Sequence, residues 1–280
     1  MTHFDVAIIG SGPSGASTAF YLAEKGISVV IIEKETLPRY KTCGGGFVFR
    51  GRKNMPFDIS EVIEREYFEV DTYFGDKLHF KSKREKPIIS MIMRDQFDHL
   101  ITKKAQELGV TLLENHKLTG LNFEGEQTVL TTSQREISAK FVIAADGVLS
   151  PTAKLAGWKE DTRKLIPAIE YEVEVPEKDF ERLSKEVRFD IDAAPSGYGW
   201  SFPKKNHLSL GILTTKRSKI NLKKYYAEYL KKLGIDTIIS ESQHGFQIPV
   251  APRTDGFFKN NVFLIGDAAG FAEPITAEGI

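Results

Sequence analysis

Residues 4–33 leave the chain little choice of fold. They read Phe4-Asp-Val-Ala-Ile-Ile9, then Gly10-Ser-Gly12-Pro-Ser-Gly15, then a helical run, then Ser28-Val-Val-Ile-Ile32-Glu33. Phe4–Ile9 is an almost continuous apolar run closed by glycine, the pattern of a strand buried on both faces. Pro13–Lys25 has helical spacing and stops at Gly26. Ser28–Ile32 is a second buried strand. This is one βαβ unit, whose crossover should be right-handed and whose strands should be parallel.

The next segment, Glu35–Phe57, is rich in glycine, proline and basic residues and is expected to be an irregular loop. It contains Arg39-Tyr-Lys-Thr-Cys43-Gly44-Gly45-Gly46-Phe47, the single cysteine followed by three glycines. Glu69–Phe80 alternates like a strand pair. Ile88–Met93 reads as a strand, and Asp95–Leu108 as a helix stopped by Gly109. Short alternating runs between Val110 and Lys140 turn at Glu124-Gly-Glu126, a hairpin signal, and Phe141–Ala145 is another buried strand. From Leu165 to Pro249 the βαβ rhythm stops. Strand-like runs at Ile166–Val175, Val187–Ile191 and Leu208–Leu213 precede a helical stretch at Leu222–Leu233, which points to a separate antiparallel sheet with a helix. Asn261–Ile265 returns to the buried-strand pattern, and no internal repeat is present.

Gly10-x-Gly12-x-x-Gly15 sits where a strand hands over to a helix. Gly10 makes the tight turn, Gly12 lets backbone approach a pyrophosphate, and Gly15 lets helix and strand pack closely. The helix start at Pro13-Ser14 offers the free N–H groups that follow Pro13, beginning with Ser14, and a positive dipole end to phosphate. Glu33, with Lys34 after it, ends the second strand; its carboxylate would accept a ribose diol and repel a 2′-phosphate, which favours FAD or NAD over NADP. Near the other end, Asn261-Val-Phe-Leu-Ile-Gly266-Asp267 delivers an aspartate to a new helix. Alone, Asp267 reads as a helix cap. Paired with the first motif, it is placed to accept hydroxyls of a ribityl chain, which NAD lacks. Pro274 and Gly279 follow where backbone would run beside a flavin ring.

Taken in order, Gly10-x-Gly12-x-x-Gly15 with Glu33, Arg94-Asp-Gln-Phe-Asp98, Ala145-Asp146-Gly147 and Gly266-Asp267 resemble FAD-dependent oxidoreductases of the para-hydroxybenzoate hydroxylase fold. The resemblance implies that Arg94 and Ala145-Asp146-Gly147 lie near the flavin. It implies the same for Arg39, Cys43, Gly44 and Gly45, with the glycines letting the loop approach the ring. Two further stretches, Arg39–Phe47 and Tyr198-Gly-Trp200-Ser-Phe202-Pro203 followed by lysine, resemble the geranylgeranyl reductase family. Those enzymes saturate isoprenoid double bonds in archaeal lipids or in phytyl tails. Alternate strand residues share a face, so Tyr198, Trp200 and Phe202 form an aromatic stripe able to line a prenyl tunnel, with Gly197 and Gly199 leaving room on the other face. The plain alternative is that these aromatics are core and Cys43 a small buried filler. Cys43, Tyr198 and Trp200 are the expected catalytic residues, and Gly46, Tyr198, Trp200, Phe202 and Pro203 the expected substrate lining.

The expected fold class is α/β: a Rossmann-like FAD-binding domain with a second α+β substrate domain built on an antiparallel sheet. Residues 1–58, 88–165 and 251–280 are assigned to the first, and 59–87 and 166–250 to the second. The implied reaction is hydride transfer from reduced FAD to an isolated alkene, with a proton to the other carbon, in a dry and well-positioned pocket. No second GxGxxG is present, so NAD(P)H or a ferredoxin-like protein is expected as a transient electron donor. A monooxygenase or halogenase of the same fold is the alternative, and a prenyl-binding carrier without redox activity is the alternative of another class.

Lys+Arg and Asp+Glu both number 38, which gives no overall attraction to nucleic acid, and Lys81–Lys86 reads as a solvated loop. One cysteine excludes a disulfide framework, and the histidines show no metal spacing, so no metal is expected. The start has no leader pattern and no apolar run reaches ~18 residues. A cytoplasmic protein is expected, peripheral contact with the inner face of a membrane remaining open. The chain stops at Ala277–Ile280, inside the element expected to follow the flavin, so a short or truncated member is expected.

Overall fold

The computed structural model describes residues 2–75, 77–216 and 220–280. In chain order the elements are β1 (Thr2–Ile9), α1 (Pro13–Glu24), β2 (Val29–Ile32), β3 (Gly46–Val48), α2 (Phe49–Lys53), β4 (Ile63–Tyr67), β5 (Glu69–Phe74), β6 (Leu78–Lys83), β7 (Ile89–Ile92) and α3 (Arg94–Glu107). They continue with β8 (Thr111–Leu113), β9 (Leu118–Glu124), β10 (Gln127–Thr132), β11 (Glu136–Ala144), α4 (Pro151–Leu155), β12 (Leu165–Glu174), α5 (Glu177–Leu183), β13 (Val187–Ile191) and β14 (Gly197–Pro203). The last are β15 (Leu208–Thr214), α6 (Leu222–Lys232), β16 (Ser240–Pro249), β17 (Phe258–Lys259), β18 (Val262–Leu264) and α7 (Gly266–Ala269). The chain divides into two compact units: Met1–Tyr40 with Asp95–Leu165 and Ile248–Ile280, and Lys41–Arg94 with Ile166–Gln247.

The first unit is built on strands in the order β18-β11-β1-β2-β8, all parallel. The β9–β10 hairpin joins β11, and β17 edges β18. Both faces of this sheet are covered, as the unbroken apolar runs require. Val6, Ile8, Val29 and Ile31 pack against Ala19 of α1 and Ala105 of α3. The alternate residues Ala7, Ile9, Val30 and Ile32 pack with Leu130, Ile137 and Trp158. Each fully buried large aliphatic side chain contributes about 1.5–3 kcal/mol.

The second unit carries a seven-stranded sheet in the order β16-β12-β15-β14-β13-β5-β6 and a three-stranded sheet β3-β7-β4. The pairings of β12 with β15, β13 with β14, β14 with β15, β5 with β6, and β7 with β3 and β4 are antiparallel, whereas β13 pairs in parallel with β5, which comes from a distant segment of the chain. One face of the large sheet presents Tyr171, Val173, Leu208, Leu210 and Ile212 to Leu222, Tyr226, Tyr229 and Leu233 on and just after α6. Tyr171 and Tyr226 stack at 3.7 Å. Asn221 caps α6, its side-chain oxygen accepting from Lys224 N–H.

Three features differ from the sequence expectation. Glu35–Phe57 is not irregular throughout: it holds β3 and α2, because Gly46–Val48 finds a partner in the distant β7. Residues 41–58 and 88–94, assigned to the first domain, cluster with the second unit for the same reason. The ten-residue β16, polar and mostly exposed, carries too little apolar signal to be read from sequence.

Candidate cofactor and substrate sites

In the first unit, β1 delivers Gly10 to a tight turn with φ +100°, and a Cβ there would lie 2.6 Å from the Ala145 carbonyl oxygen. A Cβ on Gly15 would lie 2.0 Å from the Gly10 oxygen. Both positions therefore exclude a side chain on steric grounds, and the motif is tied to the exit of β11. Helix α1 starts with Pro13 at its N-terminus and Gly12 at the cap, with no side-chain cap, which leaves its first N–H groups for an anion.

Glu33 is buried at the end of β2. Its Oε2 accepts from Ser11 N–H at 3.0 Å and Ser11 Oγ at 2.6 Å, and its Oε1 from Glu35 N–H at 3.1 Å. Burial opposes its charge, but the Ser11 bonds and the Arg39 guanidinium outweigh it and hold the carboxyl below the ordinary range. A carboxylate offers about four acceptor sites, so one stays free on Oε1 for a ribose hydroxyl. Arg39 lies 3.5 Å from Glu33 and donates to Asp98 at 3.0 Å. Lys34 points away: it is exposed and pairs with Glu35.

The Ala145-Asp146-Gly147 turn follows β11. Asp146 accepts from Ser150 Oγ at 2.6 Å and Thr152 N–H at 2.9 Å, organising the start of α4, and burial pushes its carboxyl upward. Gly266, with φ +54°, lies against Ser14, where a Cβ would come within 2.6 Å of Ser14 Oγ. Gly279 lies beside Asp267, while Pro274 is exposed. One residue with no sequence signal holds this corner together. Buried Arg163 donates to the Asp267 and Val148 carbonyls at 2.5 and 2.6 Å, so it ties α7 to the turn after β11. A lone arginine outside any motif carries no spacing that would have marked it. The uncapped α1, the glycine turn and the ionised Glu33 together suit the pyrophosphate and ribose of FAD.

In the second unit, Tyr198, Trp200 and Phe202 do share one face of β14, with ring centroids 6.1 and 6.3 Å apart. Phe189 of β13 crosses them, 5.7 Å from Tyr198 and 5.2 Å from Phe202. The three glycines of the loop have close protein neighbours here. A Cβ on Gly44 would lie 2.8 Å from Trp200 Nε1, and one on Gly46 would lie 2.8 Å from the Phe202 ring. Gly45 has φ +65°, and its Cβ would strike both the Ile92 oxygen and Lys204 Nζ. The loop is thus laid on the stripe. It buries Trp200 and Phe202 and leaves Tyr198 half-buried. Gly45 N–H donates to Cys43 Sγ at 3.4 Å, which fixes the half-buried thiol in the turn. Trp200 Nε1 is buried and has no hydrogen-bond partner among the described residues.

Two expectations change. The room left by Gly199 is taken by Ile212 and by Tyr229 of α6, so that face is core, not substrate space. By the same alternation Pro203 lies on the α6 side, away from the stripe. Arg94 opens α3 and belongs with the second unit. Among the described residues no group of three or more His, Cys, Asp or Glu is arranged to hold a metal, and no helix is long and apolar enough to cross a membrane.

Known proteins match along the whole chain. The FAD binding domain family matches residues 62–280, and the FAD dependent oxidoreductase family matches residues 5–47. An uncharacterized protein of Methanosarcina barkeri is 32% identical over 100% of this chain and 71% of its own length. Digeranylgeranylglycerophospholipid reductase 2 of Methanothermobacter thermautotrophicus is 28% identical over 99% of this chain and 74% of its own. The crystal structure of a geranylgeranyl bacteriochlorophyll reductase-like protein from Thermoplasma acidophilum superposes with TM-score 0.84 at 25% identity, covering 100% of this chain and 74% of that one. The glycine turn, the ionised Glu33 and these matches agree: the chain is an FAD-dependent oxidoreductase of the FAD binding domain family, in the company of the geranylgeranyl reductases.

Proposed function

We propose that the protein reduces isolated carbon–carbon double bonds in a prenyl chain of the geranylgeranyl type, carried on a lipid. The observation that supports this most is the aromatic stripe of the second unit with the Cys43–Gly46 loop laid on it. A prenyl chain has no polar group along its length, so only an apolar, shaped surface can position it. The prenyl reductases among its relatives favour the same reading.

Bound FAD in its reduced form supplies the hydride. The chain's own residues do the rest. Gly10, the α1 N-terminus and Glu33 bind pyrophosphate and ribose, and Arg163 fixes Asp267 for the ribityl side. Trp200 and Phe202 exclude water and orient the alkene. Tyr198 keeps its hydroxyl in a half-buried position, where it can hold the proton taken by the second alkene carbon. Cys43 sits in the loop that covers Trp200 and Phe202. NAD(P)H or a ferredoxin-like protein serves as transient electron donor.

The substrate's home suggests a further element of this reading, contact with a membrane surface. On the β5–β6 hairpin, Phe74, Leu78 and Phe80 are 40%, 56% and 55% exposed. The run from Lys77 to Lys86 holds five cations and one acid. Beside it a cavity of about 350 Å³ is lined by Lys77, His79, Arg188 and Lys232. Apolar side chains ringed by cations suit an anionic lipid surface. Sedimentation with phosphatidylglycerol vesicles but not phosphatidylcholine vesicles, lost in Leu78→Ser/Phe80→Ser, is the expected result. Equal recovery with both would remove this element.

The main test is anaerobic. Reduced protein is mixed with a geranylgeranylated lipid, and the flavin spectrum and product mass are followed. Reoxidation with a saturated product supports the reading. Flavin that stays reduced until oxygen enters, then oxidises rapidly with a small aromatic present, would favour a monooxygenase. Purified protein that neither retains nor takes up flavin would favour a carrier.

A further inference from the structure

The stripe ends in Lys204, a lysine with no exposed surface, held in the turn between β14 and β15. Its ammonium donates to the Gly44 carbonyl at 2.7 Å and to the Ile92 carbonyl at 2.8 Å. Those two oxygens belong to different segments: one to the Cys43–Gly46 loop, the other to the end of β7. The same region is joined by Ile92 N–H donating to the Gly45 oxygen at 2.9 Å. Gly45 has to be glycine partly because a Cβ would sit 2.3 Å from Lys204 Nζ. Lys204's own carbonyl accepts from Arg65 Nε at 2.6 Å, and its N–H donates to the His207 oxygen at 2.8 Å, so its backbone is also fixed.

A buried ammonium needs compensating charge. Glu172 on β12 and Glu64 on β4 are among the acids whose charge favours the ammonium. Glu172 accepts from His207 Nε2 at 2.9 Å with the ring in its donor form, and Glu170 from Ser209 Oγ at 3.1 Å. Burial lowers the lysine's proton affinity while these acids oppose the change. A chain that needed only bulk here would use an apolar side chain. Two carbonyls converging on one nitrogen need a donor.

We propose that Lys204 is the positioning residue of the Cys43 loop: its ammonium clamps the Gly44 carbonyl to the Ile92 carbonyl. The inference rests on the proposed function only in treating the loop as part of the reaction site. The clamp itself is independent of which reaction runs there.

The test uses Cys43, the only cysteine, as reporter in the full-length, FAD-loaded protein. Iodoacetamide labelling is timed by intact-mass spectrometry in wild type, Lys204→Met and Lys204→Arg. Charge-assisted hydrogen bonds are the strong ones, so their removal should speed Cys43 labelling roughly tenfold or more in Lys204→Met. Lys204→Arg, which keeps charge and donors, should label near the wild-type rate; a space-filling role would show the reverse, since methionine preserves the volume. Should Lys204→Met fail to fold, Lys204→Met/Glu170→Gln/Glu172→Gln removes the uncompensated acids and is read instead. Labelling at the wild-type rate in whichever methionine variant folds, or arginine labelling as fast as methionine, overturns the proposal. Absence of prenyl reduction in a protein that shows the labelling pattern would sink the proposed function and leave the clamp standing.

Discussion

Gly211→Ala tests whether the stripe is as tightly built as its geometry says. Gly211 on β15 lies opposite Trp200 on β14 and Glu170 on β12. A Cβ there would lie 1.9, 2.2 and 2.3 Å from three atoms of the Trp200 indole. Carbon atoms rest at about 3.5–4.0 Å, so the ring would have to retreat by roughly 1.5 Å. It has nowhere easy to go, with Gly44 of the loop against its edge and Phe202 beside it. Overpacking of this kind costs about 1–3 kcal/mol. Swinging the indole into water instead would forfeit burial of about 200 Å², roughly 5 kcal/mol at most, so the strained but buried arrangement should win. The sign is informative, because an alanine free of clash would stabilise a strand by about 0.5–1 kcal/mol over glycine. Urea unfolding gives the stability. Trp200 emission, read in a Trp158→Phe background because the chain has two tryptophans, reports the ring. Adding Trp200→Phe should recover at least about 1 kcal/mol of the loss as coupling. A Gly211→Ala protein as stable as its parent, with unshifted emission, would refute the reasoning.

Gly10→Ala should purify with little or no FAD, by absorbance, because φ +100° and the Ala145 oxygen both oppose a side chain. Arg163→Met should weaken FAD retention and cost about 2–4 kcal/mol in urea melts, since it leaves the Asp267 and Val148 carbonyls without their charged donor. The Glu170–Glu172 pair titrates together, and burial with the second acid beside it pushes Glu170 up to about 8. The native state then keeps a proton that the unfolded chain releases near 4.5, so this group's contribution makes stability fall as pH rises from about 4.5 to about 8. Glu170→Gln should flatten that part of the stability–pH curve, and an unchanged slope would contradict it. Glu33 has the opposite sign: its lowered carboxyl stabilises above the unfolded value, and that contribution is lost as pH falls through the folded one. Glu33→Gln should therefore reduce the acid sensitivity of folding while weakening FAD binding.

The sequence by itself determined the first unit. Its strands are buried on both faces, so their apolar runs are unbroken. Gly15 is dictated by the Gly10 oxygen five residues away, although Gly10 and Gly266 also meet the distant Ala145 and Ser14. Local rules suffice where the cause is local, and Glu33 and Gly266-Asp267 stood at legible offsets from strand ends. The stripe Tyr198–Trp200–Phe202 was legible for the same reason, since alternation along one strand is a local property. Tertiary structure decided what touches the stripe. Gly44–Gly46 are glycines because a strand about 155 residues further on brings Trp200, Phe202 and Lys204 against them. Lys204 looked like an ordinary charged residue following a strand. Only folding showed that two carbonyls from distant segments close around it. Gly199 looked like open space until α6 filled it with Tyr229, and Arg163 acquired its partners only when α7 came back to β11. In each case the deciding contact links residues far apart in the chain, and no periodicity or spacing records such a contact.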